Sequence, residues 1–383
     1  MITNDLKYIG VNDHEIDLFE GQFIVPDGMA YNSYAIIDEK IAIMDSVERK
    51  FTEEWLNKIK EAVGERQPDY LIVHHMEPDH SANIRNFLQT YPEAKVVASA
   101  NAFRMMQNFF GTDFADRKIV VKDGDKLNLG KHELTFLTAP MVHWPEVIMT
   151  YDVTEKRLFS ADAFGKFGAL DIEDDWACEA RRYYFGIVAK YGAQVQSVLK
   201  KMAMLEIHGI CPLHGPVLQG DAVSNALRLY SLWASYTPED EGVVIAHASV
   251  YGNTRTAAEN LAELLREKGI PVVLYDLNRC DISEAVEDAF RYDRLVLAAV
   301  TYNADLYPPM KNFLHWLTER GYRNRRVGLI ENGSWAPMAG KIMKGMLEGM
   351  KEIEIVEPMV TIRSAMKQGD IPALEDLADA ILA

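Results

Sequence analysis

The chain has 383 residues, of which 48% are hydrophobic and 25% are charged, and its formal net charge is −17 at pH 7. This length favours two domains, each long enough to bury its own hydrophobic core. The net charge argues against nucleic acid or an anionic membrane as a partner, because both are negatively charged and would repel the protein.

The three cysteines, Cys178, Cys211 and Cys280, are far apart, and the sequence contains no Cys-x-x-Cys pair. This excludes thiolate zinc or iron sites contained in the chain, including a fused rubredoxin module. The first residues are polar and acidic, unlike a signal peptide, and no apolar run approaches the roughly 18 residues of a membrane-spanning helix. We therefore expect a cytoplasmic protein in a reducing environment.

The predicted elements of residues 1–238 are short strands and loops, with helices between some of them. YLIVHH (70–75) and KVVAS (95–99) are predicted strands, each followed by a helix, and VIMTYDVTEKRLFSA (147–161) predicts a hairpin. The stretch WASYTPEDE (233–241) contains a proline and acidic residues without periodicity. We place the boundary between the two domains in this stretch.

Residues 239–383 alternate near-continuous apolar strands with amphipathic helices. The predicted strands are GVVIAHAS (242–249), PVVLYDL (271–277), RLVLAAV (294–300) and RRVGLIENG (325–333). Apolar strands separated by helices are typical of parallel sheets that are covered on both faces. This part of the chain is therefore predicted to form a doubly wound parallel sheet.

The segment HHMEPDH (His74–His80) concentrates donors that bind metals. His75 and Glu77 are two residues apart at the end of a predicted strand, so their side chains point to the same side. Asp79 and His80 are expected on a tight loop, because the preceding proline stops a helix from continuing through it. The first histidine of the segment is expected to face away. Imidazole nitrogens and carboxylate oxygens together suit first-row transition metals; the alternative is a polar strand end that caps a helix.

Three later strand ends are candidates to complete a dinuclear site. They are APMVHWPE, which carries His143, LFSADAFG, which carries Asp162, and ICPLHGP, which carries His214. A single histidine at a strand end is more often a polar residue whose hydrogen bonds are satisfied. The common location of the three residues, and their order in the chain, favour metal binding.

The stretch from residue 243 to residue 265 predicts a strand, a loop with hydroxyl groups and a glycine, and a helix. A phosphate at the helix N-terminus would be held by backbone N–H groups and hydroxyls. The loop residues are Ser249, Val250, Tyr251, Gly252, Asn253 and Thr254. No lysine follows the glycine, so this is not a nucleoside-triphosphate P-loop. The loop resembles the FMN-phosphate loop of flavodoxins, with Tyr251 where many flavodoxins have threonine.

Two further loops follow predicted parallel strands at their carboxyl ends, where such sheets bind ligands. One consists of Thr301, Tyr302 and Asn303, and the other contains Asn332, Gly333, Ser334 and Trp335. Tyr302 and Trp335 are candidates to flank a flat isoalloxazine ring. The alternative for Trp335 is a packing role.

The order His-x-Glu-x-Asp-His, then His, Asp and His, resembles the metallo-β-lactamase superfamily, whose fold is an αββα sandwich with a dinuclear site at one edge. Hydrolytic members usually carry a histidine where Glu77 stands. Together with LFSADAFG, ICPLHGP and ENGSWAP, this glutamate resembles the flavodiiron proteins, or A-type flavoproteins, over essentially the whole chain. The resemblance implies a metallo-β-lactamase-like domain over residues 1–238 and a flavodoxin-like FMN-binding domain over residues 239–383.

The resemblance also implies a non-haem diiron site. The implied ligands are His75, Glu77 and His143 for one iron, Asp79, His80 and His214 for the other, and Asp162 as the bridge. These ligands carry a charge of −3 against +4 from two ferrous ions. The additional carboxylate favours a redox metal over zinc, because a hard anionic donor stabilises a higher oxidation state.

The implied activity is the reduction of dioxygen to water or of nitric oxide to nitrous oxide, with electrons delivered from FMN to the irons. FMN and two ferrous ions together store the four electrons that dioxygen requires. The main alternative is a dinuclear zinc hydrolase that acts on a thioester or lactam, which Glu77 and the flavin loops disfavour. A flavodoxin-like electron carrier with an inert metal domain is disfavoured because all seven ligands are present.

The electron donor is expected to be a separate carrier, either rubredoxin or a reduced deazaflavin. The resemblance implies a head-to-tail homodimer that places the flavin of one subunit against the irons of the other. Tyr183 or Tyr184 is a candidate phenol that donates a hydrogen bond at the irons, with a buried packing role as the alternative. Glu20 stands where some members have a histidine, which leaves the preference between dioxygen and nitric oxide open.

Overall fold

The computed structural model describes residues 5–383. Contacts divide the chain into two compact units. The first contains the residues up to Tyr184 and Tyr191–Ser231, and the second contains Phe185–Lys190 and Leu232–Ala383. The sequence places the boundary between the two domains after residue 238, and this boundary stays a prediction.

The first unit contains sixteen strands and seven α-helices in its described part. The strands are β1 (Leu6–Tyr8), β2 (Val11–Asp13), β3 (Leu18–Phe19), β4 (Phe23–Ile24), β5 (Met29–Tyr31), β6 (Tyr34–Ile37), β7 (Ile41–Met44), β8 (Tyr70–Ile72), β9 (Lys95–Ser99), β10 (Lys118–Val121), β11 (Lys126–Asn128), β12 (Glu133–Thr138), β13 (Ile148–Asp152), β14 (Arg157–Phe159), β15 (Gly209–Cys211) and β16 (Leu218–Gln219). The helices are α1 (Thr52–Val63), α2 (Pro78–Ser81), α3 (Ile84–Thr90), α4 (Ala100–Phe110), α5 (Trp176–Tyr183), α6 (Gly192–Met202) and α7 (Asp221–Ala234), whose last three residues belong to the second unit.

Two six-stranded sheets form the centre of this unit. Their strand orders are β1-β6-β7-β8-β9-β10 and β11-β12-β13-β14-β15-β16. Helices α1 and α4 pack against strands of the first sheet. Side chains from both sheets meet in one core, which contains Leu6, Tyr34, Ile36, Ala42, Met44, Tyr70, Ile72, Val97, Val121, Leu129, Leu134, Phe136, Ile148, Phe159 and Cys211. The sheet sandwich expected from the sequence is therefore present.

The candidate metal ligands lie in the loops that leave strand ends of this sandwich. Strand β8 precedes the His75 segment, β12 precedes His143, β14 precedes Asp162 and β15 precedes His214. Because β8 runs parallel to its neighbours β7 and β9, and β14 runs parallel to β15, these strands deliver their carboxyl ends to the same edge of their sheet. The fold thus collects donors that are far apart in the sequence.

Two local expectations were wrong. Strand β8 ends at Ile72 instead of continuing to His75, and Asp79 and His80 lie in the short helix α2 instead of on a loop. Pro78 is the first residue of that helix, where a missing N–H leaves no hydrogen bond unmade. The proline therefore starts a helix, although it would interrupt one at an interior position.

The second unit is a parallel sheet with helices. Its strands are β17 (Asp240–Ala248), β18 (Val272–Asp276), β19 (Tyr292–Tyr302), β20 (Asp305–Leu306), β21 (Arg325–Asn332), β22 (Ile353–Ile355) and β23 (Val360–Ile362). Its helices are α8 (Asn253–Glu267), α9 (Ile282–Arg291), α10 (Pro308–Glu319), α11 (Ala339–Leu347) and α12 (Ile371–Leu382).

The strand order of this sheet is β18-β17-β19-β21-β22, with β23 also paired to β21. All of these pairs are parallel, and only the short β20 is antiparallel to its neighbour β19. Helix α8 packs against α12, and α10 packs against α9 and α11. This order is the doubly wound arrangement of flavodoxins, which confirms the prediction for this part of the chain.

Across residues 5–383, none of the helices combines the length and the apolar character that crossing a bilayer requires.

Candidate functional site

Seven side chains from four separate segments converge at one edge of the sandwich. Their donor atoms form two groups that could each hold a metal ion: His75, Glu77, His143 and Asp162 in one, and Asp79, His80 and His214 in the other. The histidines and aspartates are buried, and Glu77 is partly exposed. The structure thus brings together all seven metal ligands that the resemblance implies.

Asp162 lies between the two groups and faces both. Its Oδ2 is 3.2 Å from Nε2 of His75 and 3.0 Å from Nε2 of His143. Its Oδ1 is 3.5 Å from Nε2 of His80 and 3.8 Å from Nε2 of His214. A carboxylate with one oxygen directed at each group has the arrangement of a bridging ligand.

Hydrogen bonds on the far side of two rings fix which nitrogen faces the cluster. Nδ1 of His75 is 2.8 Å from Oε1 of Glu146, and Nδ1 of His214 is 2.7 Å from the carbonyl oxygen of Ala30. A carbonyl oxygen only accepts, so Nδ1 of His214 carries the hydrogen and its Nε2 offers a lone pair. That Nε2 faces Nε2 of His80 at 3.0 Å and Oδ2 of Asp79 at 3.4 Å, an arrangement that a cation stabilises.

The pKa values in the cluster reflect the attraction between imidazoles and carboxylates. Burial lowers the pKa of His80 and His143, but neighbouring carboxylates outweigh it and raise the pKa of His80 to about 10 and that of His143 to about 9. Burial raises the pKa of Asp162, yet the surrounding imidazoles hold that pKa well below its usual range. Carboxylates that attract protons to these rings also attract metal cations to the same place.

The donor set fits two first-row transition metal ions. Both carboxylate oxygens of Asp79 and of Asp162 are buried and lack a hydrogen-bond partner in the described part of the chain. Buried carboxylate oxygens without hydrogen bonds are costly unless a cation compensates them. Imidazole and carboxylate donors in this ratio suit iron, zinc or manganese more than calcium or magnesium.

The structure separates the two tyrosines that the sequence left as alternatives. The ring of Tyr183 is buried 5.5 Å from the ring of His214, between centroids. Burial raises the pKa of the Tyr183 phenol well above its usual value, and the carboxylates of Asp162, Glu77 and Asp79 raise it further. Tyr184 instead packs edge-to-face on Tyr230, with centroids 5.0 Å apart. The geometry therefore favours Tyr183 as the phenol at the cluster.

Glu20 lies in the exposed turn between β3 and β4, where its backbone has a φ of 49°. Partial desolvation and the negative charge of Glu77 raise the pKa of the Glu20 carboxyl to about 7, and His143 opposes this increase. Nε2 of Gln22 donates a 3.0 Å hydrogen bond to Glu20 Oε2. Glu20 is thus within electrostatic reach of the first group of donors.

His74 turns away from the metal cluster, as the sequence predicts. Its Nδ1 pairs with Oδ2 of Asp45, and its Nε2 is 2.8 Å from the hydroxyl of Thr150. The Asp45 carboxylate also accepts a 2.7 Å hydrogen bond from the backbone N–H of His74. Both ring nitrogens are therefore engaged, which leaves none for a metal.

The loop between β17 and α8 presents a helix N-terminus suited to an anion. Gly252 precedes α8 with a φ of 88°, and α8 has no side-chain cap from the described residues. The hydroxyl of Ser249 accepts a 3.0 Å hydrogen bond from the N–H of Gly252, which shapes the loop. Thr254 is buried in the first turn, whereas Val250 and Tyr251 are exposed. Uncapped backbone N–H groups at this end fit a phosphate.

The two later loops meet the same edge of the sheet, and several of their polar groups are already engaged. The hydroxyl of Thr301 accepts hydrogen bonds of 2.8 and 3.1 Å from the N–H groups of Met338 and Ala339, and thereby caps α11. The amide of Asn332 donates to the carbonyl oxygen of Ser364 at 2.8 Å, and the Ser334 hydroxyl is 2.6 Å from that of Ser364. These hydrogen bonds fix the shape of the two loops.

The aromatic side chains of these loops project into solvent. The exposed fractions are 89% for Trp335, 92% for Tyr251 and 44% for Tyr302. Exposure of this extent argues against the alternative that Trp335 is a packing residue. Asn303 has a φ of 50°, and a side chain at Gly333 would lie 2.8 Å from Pro337. The surface therefore fits a flat aromatic ligand better than a packing interface within this unit.

Three contributors to these sites were missed at the level of the sequence. Glu146 holds His75, Asn278 accepts a 3.3 Å hydrogen bond from the N–H of Ser249, and Ser364 joins the loop around Ser334. Glu146 stands three residues after His143 in HWPE, so the proximity of a carboxylate to a candidate ligand was the available signal. Nothing in the local pattern marks Asn278 or Ser364.

Comparison with known proteins extends over the whole chain. Residues 29–215 match the model of the ODP family beta lactamase, and residues 245–374 match the flavodoxin model. An uncharacterised protein of Methanocaldococcus jannaschii is 30% identical, with 96% of this chain and 94% of that protein covered. Nitric oxide reductase of Moorella thermoacetica is also 30% identical, with 100% of this chain and 98% of that protein covered.

Solved structures of known proteins are also similar in fold to this chain. The rubredoxin oxygen:oxidoreductase of Desulfovibrio gigas has a TM-score of 0.93 at 26% identity, with 100% of this chain and 97% of that chain covered. The flavodiiron protein of Giardia intestinalis has a TM-score of 0.90 at 23% identity, with 100% of this chain and 96% of that chain covered. This second similarity is one of fold. From the full-length relatives and the two matched domains together, we conclude that the chain is a member of the flavodiiron protein family.

Proposed function

We propose that the chain is an oxidoreductase that reduces dioxygen to water, nitric oxide to nitrous oxide, or both, at a diiron site supplied with electrons by FMN. The observation that carries the proposal is the position of Asp162, whose two oxygens face two separate groups of buried donors. Two adjacent metal ions suit a diatomic gas, because each can interact with one end of it or with one of two molecules.

The proposed ligands follow the two groups of donors. One iron would be held by His75, Glu77 and His143. The other iron would be held by Asp79, His80 and His214, and Asp162 would bind both. Bound there, the irons would supply adjacent coordination positions and electrons for the gas, and FMN would supply the electrons that re-reduce them. FMN would be held by the loop Ser249–Thr254 and flanked by Tyr302 and Trp335.

The protein itself orients the donors and surrounds them with a dry surface that carries a hydrogen-bond donor. Edge contacts from Phe19 and Tyr31 to the His214 ring, at 5.4 and 5.8 Å, and from Trp144 to the His75 ring, at 5.1 Å, shield the donors from water. The phenol of Tyr183 stays protonated at neutral pH because burial raises its pKa. It can therefore donate a hydrogen bond to an oxygen atom held at the cluster.

We further propose that electrons arrive from a separate carrier, either rubredoxin or a reduced deazaflavin. The name of the similar Desulfovibrio gigas protein, a rubredoxin oxygen:oxidoreductase, supports a rubredoxin as the first choice to test. The active form is proposed to be a head-to-tail homodimer in which each flavin serves the irons of the other subunit. The zinc hydrolase is not favoured, because Glu77 replaces the usual histidine and the relatives are oxidoreductases.

The test is gas consumption by protein loaded with ferrous iron and FMN under anaerobic conditions and reduced by rubredoxin or photoreduced deazaflavin. The matched control is Asp162→Asn, which has nearly the same shape and lacks the charge. We expect the wild-type protein to consume dioxygen or nitric oxide, and the variant to be at least about a hundredfold slower, since loss of even indirect ligand contacts costs 10- to 100-fold. Equal rates for both proteins would overturn the proposal. The ratio of the two gas rates gives the substrate preference.

A further inference from the structure

A third cluster of metal-binding side chains lies at the other end of the second sheet. It consists of Asp5, His132 and Glu155, whose candidate donor atoms all lie within 4.8 Å of one another. His132 immediately precedes β12, whereas His143 follows β12 after a loop. Five residue steps of about 3.3 Å along β12 separate the two ends by roughly 17 Å. The cluster is therefore distinct from the diiron ligands.

The ring of His132 has one engaged and one bare nitrogen. Its Nδ1 is 2.8 Å from Oδ2 of Asp152, and only 1% of the residue is exposed. Its Nε2 is buried and lacks a hydrogen-bond partner among residues 5–383; the nearest oxygen of Asp5 is 3.6 Å away. A histidine whose Nδ1 pairs with a carboxylate, and whose Nε2 points into a space lined by oxygens, has the geometry of a metal ligand.

Asp152 holds two of the three proposed ligands in place. While Oδ2 binds the His132 ring, Oδ1 accepts hydrogen bonds of 3.0 and 3.4 Å from the N–H groups of Thr154 and Glu155. The backbone N–H of His132 is fixed by a 2.7 Å hydrogen bond to Oδ2 of Asp38. The turn that carries Glu155 and the ring of His132 are thus positioned by the same carboxylate, so binding an ion requires little rearrangement.

A cation already stands beside these carboxylates. Nζ of Lys131 is 2.5 Å from Oδ2 of Asp5 and 3.5 Å from Oε1 of Glu155. The Lys131 side chain is 55% exposed, and those of Asp5 and Glu155 are 34% and 24% exposed. Lys131 can therefore move into solvent, and an ion can enter, without disturbing the core. The position of the Lys131 ammonium group shows that the carboxylates of Asp5 and Glu155 attract a positive charge.

We propose that Asp5, His132 and Glu155 form a binding site for a divalent transition metal such as Zn²⁺, with Asp152 fixing the imidazole. Two carboxylates balance the +2 charge, one imidazole nitrogen gives preference over calcium and magnesium, and the exposed side leaves room for water as a further ligand. Lys131 competes with the metal for the same carboxylates. The site is separate from the proposed gas chemistry and does not depend on it.

The experiment is equilibrium dialysis of the iron-loaded protein against Zn²⁺, with zinc and iron measured in the same samples so that exchange at the iron ligands is recognised. We expect one zinc per chain in the wild-type protein with iron unchanged. His132→Gln should lose this zinc, and His208→Gln, at an exposed histidine beside Glu206, should keep it. Because His132→Gln alters a buried residue, Glu155→Gln provides a second variant at the surface and should bind roughly tenfold more weakly.

Lys131→Met separates a metal site from a purely structural ion pair. Removal of the competing ammonium should tighten zinc binding by roughly tenfold. A structural role for the cluster gives no such gain. Absence of the additional zinc from both the wild-type protein and Lys131→Met would overturn the proposal. So would zinc binding that is the same in His132→Gln, Glu155→Gln and the wild-type protein.

Discussion

Glu146 and the backbone of Ala30 each fix one ring of the metal cluster, although neither is a proposed ligand. Glu146 Oε1 bonds both Nδ1 of His75 and the backbone N–H of Met76, each at 2.8 Å. The glutamate thus ties the ring to the loop that carries it. Because a rotated imidazole cannot place Nε2 at the metal, such contacts contribute to metal affinity alongside the ligands.

The first prediction concerns Glu146→Gln. This variant keeps the shape and the contact to the backbone but replaces an anionic hydrogen-bond acceptor of His75 with a neutral one. We expect the affinity for iron to fall about 10- to 100-fold, measured as the rate of iron loss to a chelator from reduced protein. The control is Glu133→Gln, which removes a surface ion pair to Lys126 and should not change that rate. Equal iron retention in all three proteins would contradict a positioning role for Glu146.

Tyr183→Phe removes one hydroxyl group from the surface of the cluster. We expect gas turnover to fall by about tenfold, the equivalent of one hydrogen bond made to the reacting species, while the iron and FMN contents stay the same. Tyr184→Phe should leave turnover unchanged, because the Tyr184 ring packs edge-to-face on that of Tyr230, whereas the Tyr183 ring lies beside His214. If the two variants behave alike, Tyr183 has no part in the chemistry.

The donors could be predicted from sequence because each belongs to a recognisable pattern, a ligand motif or a polar residue directly after an apolar strand. Tyr183 and Tyr184 could not be separated in this way. Adjacent residues on a helix differ by about 100° in direction, and the sequence does not show which direction faces the cluster. The role of Glu146 also depends on a loop whose path the local pattern does not fix.

At the scale of elements, apolar runs predicted β8, β9, β13 and β14 of the first unit and β17, β18, β19 and β21 of the second, and the alternation of strand and helix predicted the parallel order of the second unit. The misplaced element was α2. Its four residues, Pro78–Ser81, are too few for a periodic signal, and proline is compatible with both a loop and a first helical turn. Tertiary contacts decide such short segments: the Ser46 hydroxyl, for example, donates a 2.7 Å hydrogen bond to the carbonyl oxygen of His80.

The packing between the two sheets predicts the effect of Phe136→Ala. Phe136 is fully buried in β12 and belongs to the core that both sheets share. Its truncation leaves a cavity and should cost about 3–5 kcal/mol of the free energy of unfolding. Urea denaturation followed by tryptophan fluorescence measures this loss. Phe109→Ala, at a residue 50% exposed, should stay within about 0.5 kcal/mol of the wild-type protein. A similar unfolding midpoint for both variants would contradict the shared core.

At the scale of the whole molecule, the head-to-tail dimer predicts that two inactive variants restore each other. Asp162→Asn disables the proposed iron site, and Asn253→Asp places a negative charge where the FMN phosphate would bind. In a mixed dimer the intact flavin of one subunit serves the intact irons of the other. Random co-assembly in equal amounts makes half of the dimers mixed, each with one working pair of sites, so turnover should reach roughly a quarter of the wild-type value.

Activity that stays at the level of the separate variants would show that electrons pass within one subunit. The control is a pull-down through an affinity tag carried by only one of the two variants, which measures how much of the other variant has joined it in mixed dimers. This experiment also tests whether one chain alone is catalytically complete.

The central claim is that seven dispersed side chains hold two redox-active irons, with Asp162 between them. The most direct measurement is anomalous diffraction at the iron absorption edge from crystals of anaerobically prepared, iron-loaded protein. The account predicts two iron peaks about 3.5–4 Å apart, one beside His75 and His143 and the other beside His80 and His214. A single peak, or no iron density at these residues, would contradict it.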